Sequence, residues 1–148
     1  MKLTLNRLAL VGLLLFSACG SLPGSLGGNK FTAVCESLAG LRGQTDDYKA
    51  MSHPDAADKG PANLRISERA TSSVAALRAM EDGEIADQGL RLATVEEGLL
   101  GVLATFRAAE SQKDWISARA GYAMWHSKAN PVVIDASSRL TKLGMNCG

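Results

Sequence analysis

The side chains able to do chemistry in this chain are few. There are two histidines, His53 and His126, three cysteines, Cys19, Cys35 and Cys147, and adjacent acid pairs at Asp46-Asp47 and Glu96-Glu97. A protein metal site needs three or four converging ligands at recognisable spacing. Two histidines far apart in the chain do not supply them, so no metal and no cofactor is expected. An activated nucleophile needs a base and an orienting group beside it. Neither histidine has an evident partner, and the sequence contains no Gly-x-Ser-x-Gly elbow and no glycine-rich phosphate loop. Neighbouring residues on a helix point in different directions, so neither acid pair makes a carboxylate dyad. No catalytic residue is expected, and the chain reads as a non-enzyme. One cluster remains: Trp115, Tyr122, Trp125 and His126 fall close together on a helical pattern. They could line a ligand pocket, or fill core as amphipathic rings at that spacing commonly do.

The cysteines carry more information. Residues 1–7 hold Lys2 and Arg7 and no acid, Leu8 to Phe16 is an uncharged apolar run, and small residues Ser17 and Ala18 follow. That charged, apolar, small-residue order is the pattern of an export signal. The run is about half the length of the roughly 20 residues that a membrane-crossing helix requires. At its end, Phe16-Ser17-Ala18-Cys19 resembles the lipobox of bacterial lipoproteins, with Phe where the family usually has Leu. The resemblance covers the first twenty residues. It implies cleavage after residue 18 and acylation of Cys19, which would become the first residue of the mature chain. Each buried methylene contributes about 0.8 kcal/mol, so one acyl chain holds a protein marginally and two or more hold it durably. Gly20 stands where an Asp would be the family's familiar inner-membrane retention signal, so the resemblance favours the outer membrane, on its periplasmic or its surface face.

Removing Lys2 and Arg7 leaves 14 basic residues against 15 acids, a formal charge of −1. Near-neutral balance without clustered basic residues argues against a nucleic-acid partner. Two cysteines remain, and an even pair in an oxidising envelope reads as a disulfide between Cys35 and Cys147. Two free thiols, or bonds to a partner, are the other readings. Residues 19–30, with four glycines, two serines and one proline after the cysteine, read as a flexible tether whose reach is at most about 40 Å. Residues 31–148 then form one domain, large enough to bury about two-thirds of its unfolded surface.

Those residues are positioned by helices. Apolar side chains recur at helical spacing and almost nowhere alternate over a strand length. Val34, Leu38, Leu41, Tyr48 and Met51 make a first helical face, interrupted by Gly40 and Gly43, each costing up to about 1 kcal/mol in a helix interior. SHPDAADKG is a loop, and Gly60-Pro61 begins a second helix with Ile66, Ala70, Leu77 and Met80 inward. Ile85, Leu92, Leu99 and Phe106 recur every seven residues and predict a long helix over about 84–109. Asp82-Gly83 separates it from the second helix, or bends one continuous helix. Ser111 with Asp114 approaches a capping box for a fourth helix through Trp115, Tyr122 and Trp125. Asn130-Pro131 predicts a fifth, carrying Val133, Ala136 and Leu140, and Gly144 a left-handed stop. The expectation is an all-α bundle of four to five helices.

Two further stretches bear on function. His53-Pro54-Asp55 is the tripeptide of J-domain co-chaperones, which carry it between two helices to stimulate a chaperone ATPase. The basic helix that precedes it in that family is absent here, so it is read as a polar loop whose proline stops a helix. The second helix presents small residues from Ser67 to Ala76 that either pack inside the bundle or receive a partner helix. Together these features predict a lipid-anchored cell-envelope protein that works by contacting an envelope partner. The alternative is a small-ligand-binding envelope lipoprotein using Trp115, Tyr122, Trp125 and His126.

Overall fold

A computed structural model describes residues 28–147. The stretches expected to be a signal (1–18) and, up to residue 27, a tether beginning at Cys19 lie outside the described residues. Five helices follow one another: α1 (Gly28–Arg42), α2 (Gln44–Met51), α3 (Lys59–Arg78), α4 (Glu84–Ala108) and α5 (Gln112–Lys142). The fold is all-α, and there is no strand among the described residues. α1 begins three residues inside the stretch read as tether.

The breaks have local causes. Gly43 sits at φ −79°, ψ 1° between α1 and α2, so the first helical face is carried by two rods at the glycine-marked interruption. α2 carries Asp46 and Asp47 in its first turn, where the helix dipole favours negative charge, and it stops ahead of Pro54. Pro61 lies in the first turn of α3, where its missing N–H costs no intrahelical bond. Gly83 has φ +135°, a backbone state that side-chain-bearing residues rarely adopt. It therefore ends the connection from α3 and starts α4 as a separate helix. At the start of α5 the capping box is complete: Ser111 accepts from the Asp114 N–H, and the Asp114 carboxylate accepts from the Ser111 N–H. At the other end Gly144 takes φ +82°. Its N–H donates to the Thr141 carbonyl at 3.0 Å and the Met145 N–H to that of Leu140 at 2.9 Å, the paired bonds of a Schellman stop.

The fifth helix predicted from Asn130-Pro131 is corrected: α5 runs through both residues without a break. Pro131 deprives the Ser127 carbonyl of its usual donor. Both residues are exposed, so that carbonyl is open to water. Meanwhile Ala129, Val133, Ala136 and Leu140 continue the buried stripe begun by Trp115, Ala118 and Tyr122. Packing on both sides of the proline outweighs its cost of about 3 kcal/mol.

α4 is the central rod, packed along α3 on one side and α5 on the other, with α1 across α3 and α4 and α2 against α3. The core has two parts. At one end Val34, Leu38, Leu77, Leu92, Val133 and Leu140 form an aliphatic cluster. At the other, Met51, Ile66, Leu103, Phe106, Trp115 and Tyr122 form a ring-rich one. Trp125 touches both.

Candidate functional site

The pairing expected of the cysteines is present. Cys35 on α1 and Cys147 beyond α5 are joined, with Cα atoms 4.9 Å apart and a sequence separation of 112. Both pack against the aliphatic cluster, so the bond fastens α1 to the end of the chain. Two of the three cysteines are thereby used, and Cys19 is the one left over.

The four aromatic-site residues do not gather around a common cavity. Tyr122 stacks on Tyr48 of α2, ring centres 3.8 Å apart and planes 14° from parallel. Its burial against Tyr48 and neighbouring apolar groups pushes its phenol up to about 12, since desolvation disfavours the phenolate. Trp125 donates its indole N–H to the Val95 carbonyl at 3.0 Å, using α5 to cap a backbone group of α4. Gly98 makes room for that indole: a Cβ there would meet Trp125 Cδ1 at 3.0 Å. His126 is exposed and lies over the rim of Tyr122, 6.0 Å between ring centres. Trp115 packs on Phe106 at 5.6 Å and lines a separate cleft of about 200 Å³ with Met51, Lys59 and Asn63. The Lys59 ammonium stands 5.4 Å above the Trp115 ring, within cation–π range.

His53-Pro54-Asp55 forms the exposed turn between α2 and α3. The Asp55 N–H donates to His53 Nδ1 at 3.3 Å, and the Pro54 carbonyl accepts from Lys59 Nζ. These are the bonds of a polar loop.

The group that sequence reasoning missed is Glu96. It is fully buried, and both carboxylate oxygens are taken: Oε1 accepts from Arg69 at 2.9 Å and from Ser37 Oγ at 3.0 Å, and Oε2 from Arg69 at 3.3 Å. Ser37, Arg69 and Glu96 come from α1, α3 and α4, so one carboxylate ties three helices. A buried charge is tolerated only when paired and hydrogen-bonded in this way. Gly40 is what lets the guanidinium lie across α1, because a Cβ at that position would fall 2.0 Å from Arg69 Nη1. The heptad phase of α4 already pointed inward at Glu96, between Val95 and Leu99. Its neighbour Glu97 is exposed and pairs with Arg78 at 2.7 Å.

Arg69 is not sealed off. Its side chain is 31% exposed and lines a groove of about 500 Å³ between α1 and α3, whose walls are Ala33, Ala39, Gly40, Ser72 and Ala76, with Glu36 beside them. The small residues of α3 thus divide: Ser67 and Ala70 pack inside, while Ser72, Ser73 and Ala76 line this groove. The groove offers short side chains for close approach, one cation and one acid. Among the described residues no group of three or more His, Cys, Asp or Glu is placed to hold a metal ion, and no helix is long and apolar enough to cross a membrane. Comparison with protein-family models, with curated proteins and with solved structures finds no match to this chain.

Proposed function

We propose that the chain is a lipid-anchored cell-envelope protein, held by acyl chains on Cys19, whose helical domain acts by contacting another envelope protein. The observation that carries this reading is the use of the cysteines. Cys35 and Cys147 are bonded to each other, and the one left over is the cysteine of the Phe16-Ser17-Ala18-Cys19 box. An intramolecular disulfide suits an oxidising compartment, and the box supplies the attachment. The contact surface in this proposal is the α1–α3 groove, where Ala39, Ser72 and Ala76 admit a helix closely and Arg69 offers a charged hydrogen-bond donor to an acid or carbonyl on it.

Intact mass of the membrane-extracted protein tests the anchor. The expected mass is residues 19–148 less two hydrogens plus acyl chains; a full-length, unacylated, soluble chain would overturn the reading. Crosslinking from a probe at Ser72 tests the partner. The expected result is one reproducible envelope protein, lost in Ala76→Trp. A small-ligand reading draws on the Trp115 cleft and not on Tyr122 or Trp125, which are engaged elsewhere. It predicts a change in tryptophan fluorescence with an envelope metabolite or lipid, abolished by Met51→Trp.

A further inference from the structure

The three most exposed large apolar side chains among the described residues all lie on one helix: Met124 at 63%, Ile134 at 61% and Ile116 at 59%. Their spacing on α5 puts Ile116 and Ile134 on the same line and Met124 within a quarter turn of it. Between them on this solvent side stand Ala120, Ala123, Ser127, Asn130 and Pro131, all exposed and none charged. The strip from Ile116 to Ile134 is therefore uncharged over about 27 Å. Single exposed apolar residues are ordinary, but three large ones aligned on one uncharged helix face make an apolar patch of the kind that marks an interaction surface.

Charge decides what it meets. Lys113 stands at the head of the strip, with Arg119 and Lys128 along its two edges, and all three are exposed. Among the described residues none of the three side chains has an ion-pair or hydrogen-bond partner. The two acids of α5 are engaged: Asp114 in the capping box and Asp135 by Arg91 at 2.6 Å and Arg139 at 3.0 Å. Lys142, at the far end, shares a polar groove with Glu84 and Asp87 and is left out of the argument. An uncharged strip bordered by unpaired cations on long stems is the surface of a helix that lies in a lipid interface, apolar side down and basic groups reaching the headgroups. A second copy docking strip to strip would instead bring Arg119 and Lys128 of both copies along one seam.

We infer that the outward face of α5, Ile116–Met124–Ile134 bordered by Lys113, Arg119 and Lys128, is a docking surface for an anionic lipid bilayer. The inference rests on the anchor reading for its geometry: the nine Cα–Cα steps from Cys19 to Gly28 span at most about 32 Å, which keeps the domain within reach of the surface. It leaves the α1–α3 groove free, since the two surfaces share no residue.

The test places an environment-sensitive dye at Met124→Cys and, separately, at Leu64→Cys on α3, where the exposed side chain stands apart from the strip. Protein purified from membrane extracts is mixed with phosphatidylcholine vesicles, or with phosphatidylcholine and phosphatidylglycerol, each carrying a lipid-borne quencher. The expected result is quenching at 124 on the anionic vesicles alone, with no response at 64. Each of Lys113→Gln, Arg119→Gln and Lys128→Gln should weaken binding about fivefold, the equivalent of one cation near an anionic surface. Equal quenching at both positions overturns the inference, as does a dye at 124 that stays silent on protein that pellets with vesicles. A response at 124 that follows protein concentration without vesicles also overturns it, in favour of a second copy. The acyl mass of the same preparation separates the two readings. Quenching at 124 without acyl chains sinks the anchor and keeps the strip; acylated protein with a silent dye at 124 does the reverse.

Discussion

The two ends of the bundle hold together by different means. One end is aliphatic, with Val34, Leu38, Leu92 and Leu140 filling it, and the Cys35–Cys147 bond closing it. The other has no covalent tie among the described residues and is filled by rings: Tyr48, Phe106, Trp115 and Tyr122, stacked, tilted or edge-on to one another at 3.8 to 6.2 Å. The difference follows from what each end must fix. The aliphatic end gathers α1 and the tail of the chain, two segments that would fray if tied down only by a few small side chains. The aromatic end gathers α2, the α4–α5 turn and α3, where large rings reach across short helices. Glu96 lies between the two regions, joining α1, α3 and α4.

The comparison can be broken most severely at the disulfide. Cys35→Ser with Cys147→Ser opens a loop of 112 residues and should cost about 5 kcal/mol. Denaturant unfolding should show it, and amide exchange should place the loss in α1 and the tail while the Tyr48–Tyr122 region keeps its protection. Glu96→Ala should cost about 3 kcal/mol, because it leaves the buried Ser37 hydroxyl without its acceptor and a cavity at the junction of α1, α3 and α4, while Arg69 can still reach the groove. The double change Glu96→Leu with Arg69→Met should recover most of that loss, which separates a costly orphan from a useful pair. At the aromatic end Leu103→Ala should cost about 3 kcal/mol by leaving a cavity, and its effect should add to that of the disulfide variant if the two ends are independent. Pro131→Ala should move stability the other way, by about 2 kcal/mol, by restoring a helical N–H to the Ser127 carbonyl less the entropy returned to the unfolded chain.

The smallest effect concerns pH. The Tyr122 phenol is pushed up to about 12 in the fold from about 10 in an unfolded chain. A raised folded value means the contribution is intact below 10 and is lost as pH rises through 12. Thermal melts of Tyr122→Phe should therefore lack the part of the alkaline decline that wild type shows between pH 10 and 12.

Periodicity, glycine and proline placement and one serine cap were enough to set out the helices and most of their limits. The seven-residue recurrence from Ile85 to Phe106 defined α4, and Gly43, Gly83 and Gly144 marked breaks that the backbone makes there. The same local logic failed at Pro131, because a proline's cost is read locally while the buried stripe that overrides it, from Trp115 to Leu140, is a property of α5 lying along α4. It failed at Glu96 for a related reason: the seven-residue phase turns this acid inward, but only the approach of α1 and α3 supplies the serine and the arginine that let a carboxylate stay there. The aromatic residues were legible as a cluster, but not their division between a cross-helix stack, a backbone cap and a separate cleft. Hydrophobic period and turn chemistry are short-range and are written in the residues themselves. Which side chains share a contact across helices depends on distances that exist only once the rods have packed.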